Sequence, residues 1–392
     1  MHAEIIATGS ELLLGEVTDT NSTYIARKLR EIGLNLFYKT VVGDNEQRME
    51  EALRIALNRS DVIITTGGLG PTVDDVTRPA VARAVNRELI FSAELLAQIQ
   101  DRFRAYGSPM GAPIGENNRR QAYLPQDAIP IENPVGTAPC FIVEYHDHLI
   151  ISLPGVPREM EYLIDHVVLP FLKDKLHLTD VILIRTLHTV GLGESRIDEA
   201  IGDLETSANP TVGLSAKAGQ VDIRVTSKAA TRAEAEVLNA AMEQRVRKKL
   251  DQFIFGVDED TLESVVTRLL NNQHLTLASV ECGTGGMLGG RLAQLGEAFR
   301  GGITVADGTL SNLDAVAEAA HHIRADRGSD FGLCASVIPA LEQRGLKLMI
   351  ALVTPDDVKT NERGYGGHSA LAQQWASTAA LGMVWRRMRD EG

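Results

Sequence analysis

The sequence predicts an α/β protein that opens with a three-layer, mainly parallel sheet, followed by a small α+β segment and a second α/β segment. Three observations carry this. Short apolar runs alternate with amphipathic stretches through residues 1–176, glycine-bearing turns follow the runs, and the pattern changes near residues 177 and 257. At 392 residues the chain exceeds what one ordinary core serves, so domains are expected at 1–176, 177–256 and 257–392.

The first segment begins with AEIIAT, an apolar run that ends at Gly9. NSTYIARKLREI puts Tyr24, Ile25, Leu29 and Ile32 on one helical face, with polar cap candidates before it and Gly33 after it. LNLFYKTVV reads as a strand, EQRMEEALRIAL as a helix, DVIITT as a strand, and DDVTRPAVARAV as the start of another helix. CFIVEY and HLIISL, separated by His146 and Asp147, read as a hairpin added to the sheet. In the middle segment VILIRTLHTVG, the helical ESRIDEAIGDLE, the strands TVGLSAK and QVDIRVTSKA, and an amphipathic helix from Arg232 to Leu250 make an α+β unit. The last segment offers the helix TLESVVTRLLNN, the run LTLASV, the turn ECGTGG, a helix from Gly286 to Leu295 and a final helix near 368–389.

Composition narrows the function classes. With 44% hydrophobic and 23% charged residues the chain is of globular type rather than disordered. A formal net charge of -13 repels phosphate backbones, so direct nucleic-acid binding is not expected, while a nucleotide can still be held by backbone NH groups or a metal. Three cysteines, Cys140, Cys282 and Cys334, stand far apart and suggest neither a disulfide framework nor a zinc knuckle. The opening MHAEIIATGSELLLGE has acids where a secretory leader needs basic residues, and no apolar run reaches the ~18 residues of a membrane span. A cytoplasmic protein without a membrane partner is the expectation.

Chemistry concentrates in loops that follow strands: ATGSELLLGEVTDTN (7–21), VGDNEQ (42–47), TTGGLGPTVDDVTRP (65–79), and NPVGTAP (133–139) with LPGVPREM (153–160). Glycine lets the backbone approach a ligand closely and turn its NH groups toward phosphate oxygens. The candidate cradle comprises Thr8, Gly9, Ser10 and Glu11; Gly67, Gly68, Gly70, Thr72 and Asp74; Gly136, Thr137 and Ala138; and Pro154 and Gly155. Asp44 and Asp75 lie at the ends of neighbouring βα units, where their carboxylates can converge on one divalent metal, Mg²⁺ or a transition metal. The plainer alternative is that Asp74 and Asp75 cap a helix. His146 and His148 read as a solvated hairpin tip, Arg119 and Arg120 as exposed, and Cys140 as a small buried hydrophobe.

The motifs TTGGLGPTVDD and a strand-end Asp resemble the molybdopterin-binding superfamily. More closely, ATGSELLLGEVTDTNS, TTGGLGPTVDDVT, ENNRRQAYLP, NPVGTAP, LPGVPREM, GLGESRIDEAIGDL and NPTVGLSAK resemble the CinA family of competence/damage-inducible proteins. The resemblance implies a metal-dependent ADP-ribose pyrophosphatase domain, a KH-like middle domain and a homodimer. By position, Asp44 and Asp75 match the aspartates tied to metal and diphosphate chemistry, and the loop residues above would line the nucleotide substrate.

Many chains of that family end in a nicotinamide-nucleotide amidohydrolase domain, and residues 257–392 follow its outline but depart at its site. Against the family's AESCTGG this chain has VECGTGG, so Cys282 takes the nucleophilic serine's place beside Thr284, Gly285 and Gly286. Ala306 falls at the family's tyrosine, Ser311 at its lysine, ASVIPA at its TGIAGP loop and Ser369 at a late arginine. A nucleophile without its activating partners loses most of its rate advantage, so an inactive domain is expected. The alternatives are nicotinamide mononucleotide deamidation there, or a non-catalytic nucleotide- or molybdopterin-binding assembly protein.

Overall fold

The structure is a computed structural model that describes residues 1–105, 115–340 and 345–390. The chain divides into two compact units, Met1–Leu183 with Lys228–Ala235, and Ile184–Ser227 with Glu236–Gly392.

The first unit runs β1 (His2–Thr8), α1 (Ser10–Leu13), α2 (Thr20–Glu31), β2 (Asn35–Val42), α3 (Glu46–Leu57), β3 (Val62–Thr66), α4 (Thr77–Ala84), β4 (Leu89–Phe91), α5 (Ala93–Ala105), α6 (Glu116–Arg119), β5 (Tyr123–Pro125), β6 (Ile129–Ile131), β7 (Cys140–Tyr145), β8 (His148–Leu153), α7 (Pro157–Leu163) and α8 (Leu169–Lys175). Six strands form one sheet in the order β2-β1-β3-β8-β7-β6, and β4 pairs with β5 separately. The first four strands of the large sheet are parallel, while β7 and β6 add antiparallel pairings. Sheets of parallel strands are covered on both faces, which is why β3 reads VIITT without alternation and is buried throughout. Ile5, Ile6, Ile63 and Ile64 are fully buried, and each such side chain contributes about 1.5–3 kcal/mol. Helix α2 presents Ile25 and Leu29 to this core, and Asp19 caps it by accepting from the Ser22 amide at 2.8 Å.

The second unit contains most of β9 (Val181–Val190), then α9 (Glu194–Glu205), β10 (Thr211–Lys217), β11 (Gln220–Ala229), α10 (Arg232–Leu250), β12 (Ile254–Val257), α11 (Leu262–Asn272), β13 (Leu277–Cys282), α12 (Met287–Leu292), β14 (Phe299–Val305), α13 (Leu313–Arg327), β15 (Phe331–Pro339), β16 (Leu346–Val353), β17 (Val358–Tyr365) and α14 (Ser369–Asp390). Two sheets result, β10-β11-β9-β12 and β14-β13-β15-β16-β17. In the second, β14, β13 and β15 are parallel and β16 and β17 follow as antiparallel additions. The helix expected from Gly286 to Leu295 is α12 alone, because the next turn tightens to 3₁₀ and kinks at Gly296.

Candidate functional site

Because β1, β2, β3 and β8 are parallel, the loops after Thr8, Val42, Thr66 and Leu153 emerge at one edge of the sheet. Strand β7 runs the other way, so its beginning lies there, and Gly136, Thr137 and Ala138 reach the same edge from the preceding loop. Topology thus brings all four sequence-predicted loops to one side, where ligands of open α/β sheets bind.

Close contacts join three of them. Gly67 has φ +99°, and a Cβ there would lie 2.4 Å from the Thr8 carbonyl oxygen. A Cβ on Gly155 would lie 3.3 Å from Gly67 Cα. Asn21 ties the same loops, its Nδ2 donating to Thr66 Oγ1 at 3.0 Å and to the Gly155 carbonyl at 2.8 Å. Thr8, Glu11, Asp19, Asn21, Thr66 and Gly155 line an open cleft. Burial works to raise the Asp19 carboxyl, but hydrogen bonding from Ser22 and the ammonium of Lys39 outweigh it and hold it below the ordinary value.

Asp44 stands beside the β1 loop. The Ser10 amide donates to Asp44 Oδ2 at 2.8 Å, and the Asp44 amide donates to Ser10 Oγ at 3.2 Å. Asp75 is engaged within its own loop: the Gly70 amide donates to Oδ1 and the Thr72 amide to Oδ2, each at 2.7 Å, and the Thr72 hydroxyl also reaches Oδ2. Neither aspartate caps α4, which starts at Thr77 rather than at Asp74 as the pattern suggests, with Val76 at its N-cap. The physical reason is that the loop's own donors take the Asp75 carboxylate; Asp74 is exposed. Gly136 and Thr137 share the edge but line a separate, shallow recess with Ile99, Arg102 and Asn133. Among the described residues no group of three or more His, Cys, Asp or Glu is placed to hold a metal ion.

Sequence reasoning missed Asn21 and Arg78. Asn21 looks like one more helix-cap candidate, yet Asp19 fills that role and frees the Asn21 amide. Arg78 lies in a helical pattern whose charge suggests solvent, yet it is 4% exposed beneath the Gly67–Gly70 loop.

In the second unit the ECGTGG turn is filled from inside. The buried Glu281 carboxylate accepts from Thr284 Oγ1 and from the amides of Leu288 and Gly289, each at 3.0 Å for the latter two, so the start of α12 is already satisfied. Cys282 is buried at the end of β13, and its thiol donates to the Ala306 carbonyl at 3.3 Å. Thr284 is buried, Gly285 and Gly286 have φ +64° and +80°, and Ser311 is exposed.

Residues 4–174 match the family model described as "Probable molybdopterin binding domain", and residues 184–256 match "Damage-inducible protein CinA KH domain". A competence-damage inducible protein of Clostridium novyi is 35% identical over 418 aligned residues, spanning 100% of both chains. Another, of Alkaliphilus oremlandii, is 43% identical over 74% of this chain and 70% of its own length. A crystal structure of the protein CinA from Thermoplasma acidophilum is 34% identical, covers 45% of this chain and 97% of its own, and superposes with a TM-score of 0.40. On the full-length match and the two matched domains, the chain belongs to the CinA family of competence-damage inducible proteins.

Proposed function

We propose that the first unit hydrolyses a nucleotide diphosphate linkage, splitting ADP-ribose into AMP and ribose 5-phosphate with the help of a divalent metal. The supporting observation is topological: the cleft lined by Thr8, Thr66 and Gly155 and the loops that carry Asp44 and Asp75 all lie at one edge of the sheet. A pair of carboxylates without nitrogen or sulfur donors suits Mg²⁺, which takes one or two carboxylates and completes its shell with water and phosphate oxygens. Bound there, such an ion would offset phosphate charge and polarise the phosphorus.

The chain's own part follows from its geometry. Backbone NH groups of the glycine loop face the diphosphate, and Asn21 keeps the loops after β3 and β8 in register. Ser10 fixes Asp44 through Oδ2, which leaves Oδ1 for one of two roles, second ligand to the metal held by Asp75 or base that takes a proton from the attacking water. The water oxygen bonds to one phosphorus, the bridging P–O bond breaks, and the bridging oxygen leaves with the other phosphate. Incubation with ADP-ribose, with and without Mg²⁺, tests this: AMP should form only with metal, and intact ADP-ribose would refute it.

A second reading is non-catalytic binding of molybdopterin, favoured by the description of the family model over residues 4–174. Retention of molybdopterin through dialysis, without AMP release from any nucleotide, would support it instead. A homodimer is the assembly we propose, checked by light scattering. No helix among the described residues is long and apolar enough to cross a membrane.

A further inference from the structure

The loop Gly67–Gly70 is pulled toward α4 by every one of its carbonyls. Thr77 Oγ1 donates to Gly67 O at 2.8 Å and the Thr77 amide to Gly68 O at 3.1 Å. Arg78 donates from Nη2 to Leu69 O and from Nη1 to Gly70 O at 3.4 Å. In a trans peptide the carbonyl and the following NH point in opposite directions. The amides of Gly68, Leu69 and Gly70 are therefore turned away from α4. Asp75 takes that of Gly70, and those of Gly68 and Leu69 have no hydrogen-bond partner among the described residues.

Arg78 does this at a cost that tying a loop does not require. Its guanidinium makes no ion pair among the described residues, and its Nε is buried without a hydrogen-bond partner. Burial pushes it down to about 10, against the pull of Cys140 and Asp75, so it stays charged at neutral pH. A neutral donor suffices for the same carbonyl: Gln121 Nε2 donates to Leu69 O at 3.3 Å. The guanidinium thus lies behind two amides, those of Gly68 and Leu69, that find no acceptor among the described residues, and apart from the attraction of Asp75, which forms no ion pair with it, its charge is left for a bound anion to offset.

We propose that Arg78 is a positioning residue and buried counter-charge for a diphosphate group: it turns the Gly68 and Leu69 amides toward the ligand and supplies fixed positive charge behind them. This rests on the diphosphate reading above and deepens it, and its test reads binding rather than hydrolysis, so the two can fail separately. Full-length wild type, Arg78→Met and Arg78→Lys are titrated with inorganic pyrophosphate, ADP and adenosine by calorimetry, with melting temperatures alongside. Arg78→Met removes the donors to the Leu69 and Gly70 carbonyls along with the charge, while Gln121 still serves Leu69 O, so a fall in melting temperature no larger than one lost hydrogen bond produces is expected. It should bind pyrophosphate and ADP at least about 10-fold more weakly, with adenosine unchanged, and Arg78→Lys should recover part of the loss. Wild-type affinity for pyrophosphate in Arg78→Met would overturn the proposal. So would absence of pyrophosphate binding in wild type, or losses of adenosine and ADP binding that track a fall in melting temperature in both variants. Should wild type bind pyrophosphate through Arg78 yet leave ADP-ribose intact, only the hydrolytic reading falls.

Discussion

Ser10 and Asp44 hold each other from both sides, the amide of each donating to the side chain of the other at 2.8 and 3.2 Å. The exchange fastens the loop after β2 to the loop after β1 and leaves one carboxylate oxygen of Asp44 unengaged among the described residues. Asp44→Asn keeps an oxygen for the Ser10 amide but loses the basic carboxylate. Its melting temperature should stay near wild type while AMP release from ADP-ribose falls by about 100-fold or more. Turnover at the wild-type rate would remove Asp44 from the mechanism.

Asp75 differs because its carboxylate also holds its own loop. Asp75→Ala strands the Gly70 and Thr72 amides, and the loss of acceptor should cost about 1–3 kcal/mol. Faster hydrogen exchange at those two amides, together with lost hydrolysis, is the expected signature. Inactivity in this variant alone therefore does not separate metal binding from loop order.

Gly67 is the tightest point of the edge. Gly67→Ala meets the Thr8 carbonyl at 2.4 Å and forces an L residue to φ +99°. A destabilisation of about 1–3 kcal/mol in urea unfolding is expected, with weaker ADP binding. A variant as stable as wild type would show that the loops can part without cost.

In the second unit His188 Nδ1 and Asp222 Oδ1 lie 2.7 Å apart, with Lys217 on the other carboxylate oxygen. The hydrogen bond to Asp222 raises His188 above 6.5 despite burial. Burial works to raise Asp222, but His188 and Lys217 outweigh it and hold it below 3.8. The His188 contribution is therefore complete below pH 6.5 and lost as pH rises through the elevated value. That of Asp222 is complete above pH 3.8 and lost as pH falls through the depressed one. Melting temperature should decline on the alkaline side above pH 6.5, and His188→Gln should flatten that limb.

All three cysteines are buried, Cys140 and Cys334 with thiols that burial pushes up, the latter to about 12. The native protein should resist a thiol reagent that modifies three groups per chain in denaturant. Cys282→Ser should yield no ammonia from nicotinamide mononucleotide, because the group facing that position is the Ala306 carbonyl, which cannot act as a base.

Much of the first unit is legible because parallel strands and amphipathic helices announce themselves by period, and their turns by glycine. The runs at 3–8, 61–66 and 148–153 fall on β1, β3 and β8. What periodicity cannot express is direction of hydrogen bonding. Asp75 as a loop clasp, Asn21 as a bridge and Arg78 as a buried cation depend on partners 3 or 5, 45 or 134, and 8 or 9 residues away. Nor does ECGTGG reveal that Glu281 turns inward onto the start of α12, since the same letters suit an anion-binding turn. Strands β16 and β17 are harder still, because β17 carries VKTNERGY with almost every side chain exposed.

The β7–β8 hairpin has a consequence for how the chain can be cut. Its turn at His146 and Asp147 is exposed and sits at the end of the sheet opposite the candidate loops, while both of its strands are held by pairing to their neighbours. New termini opened there, or a tag inserted, would leave every loop of the site continuous with the strand that positions it. The hairpin is thus a handle by which the first unit can be labelled or permuted without touching its chemistry.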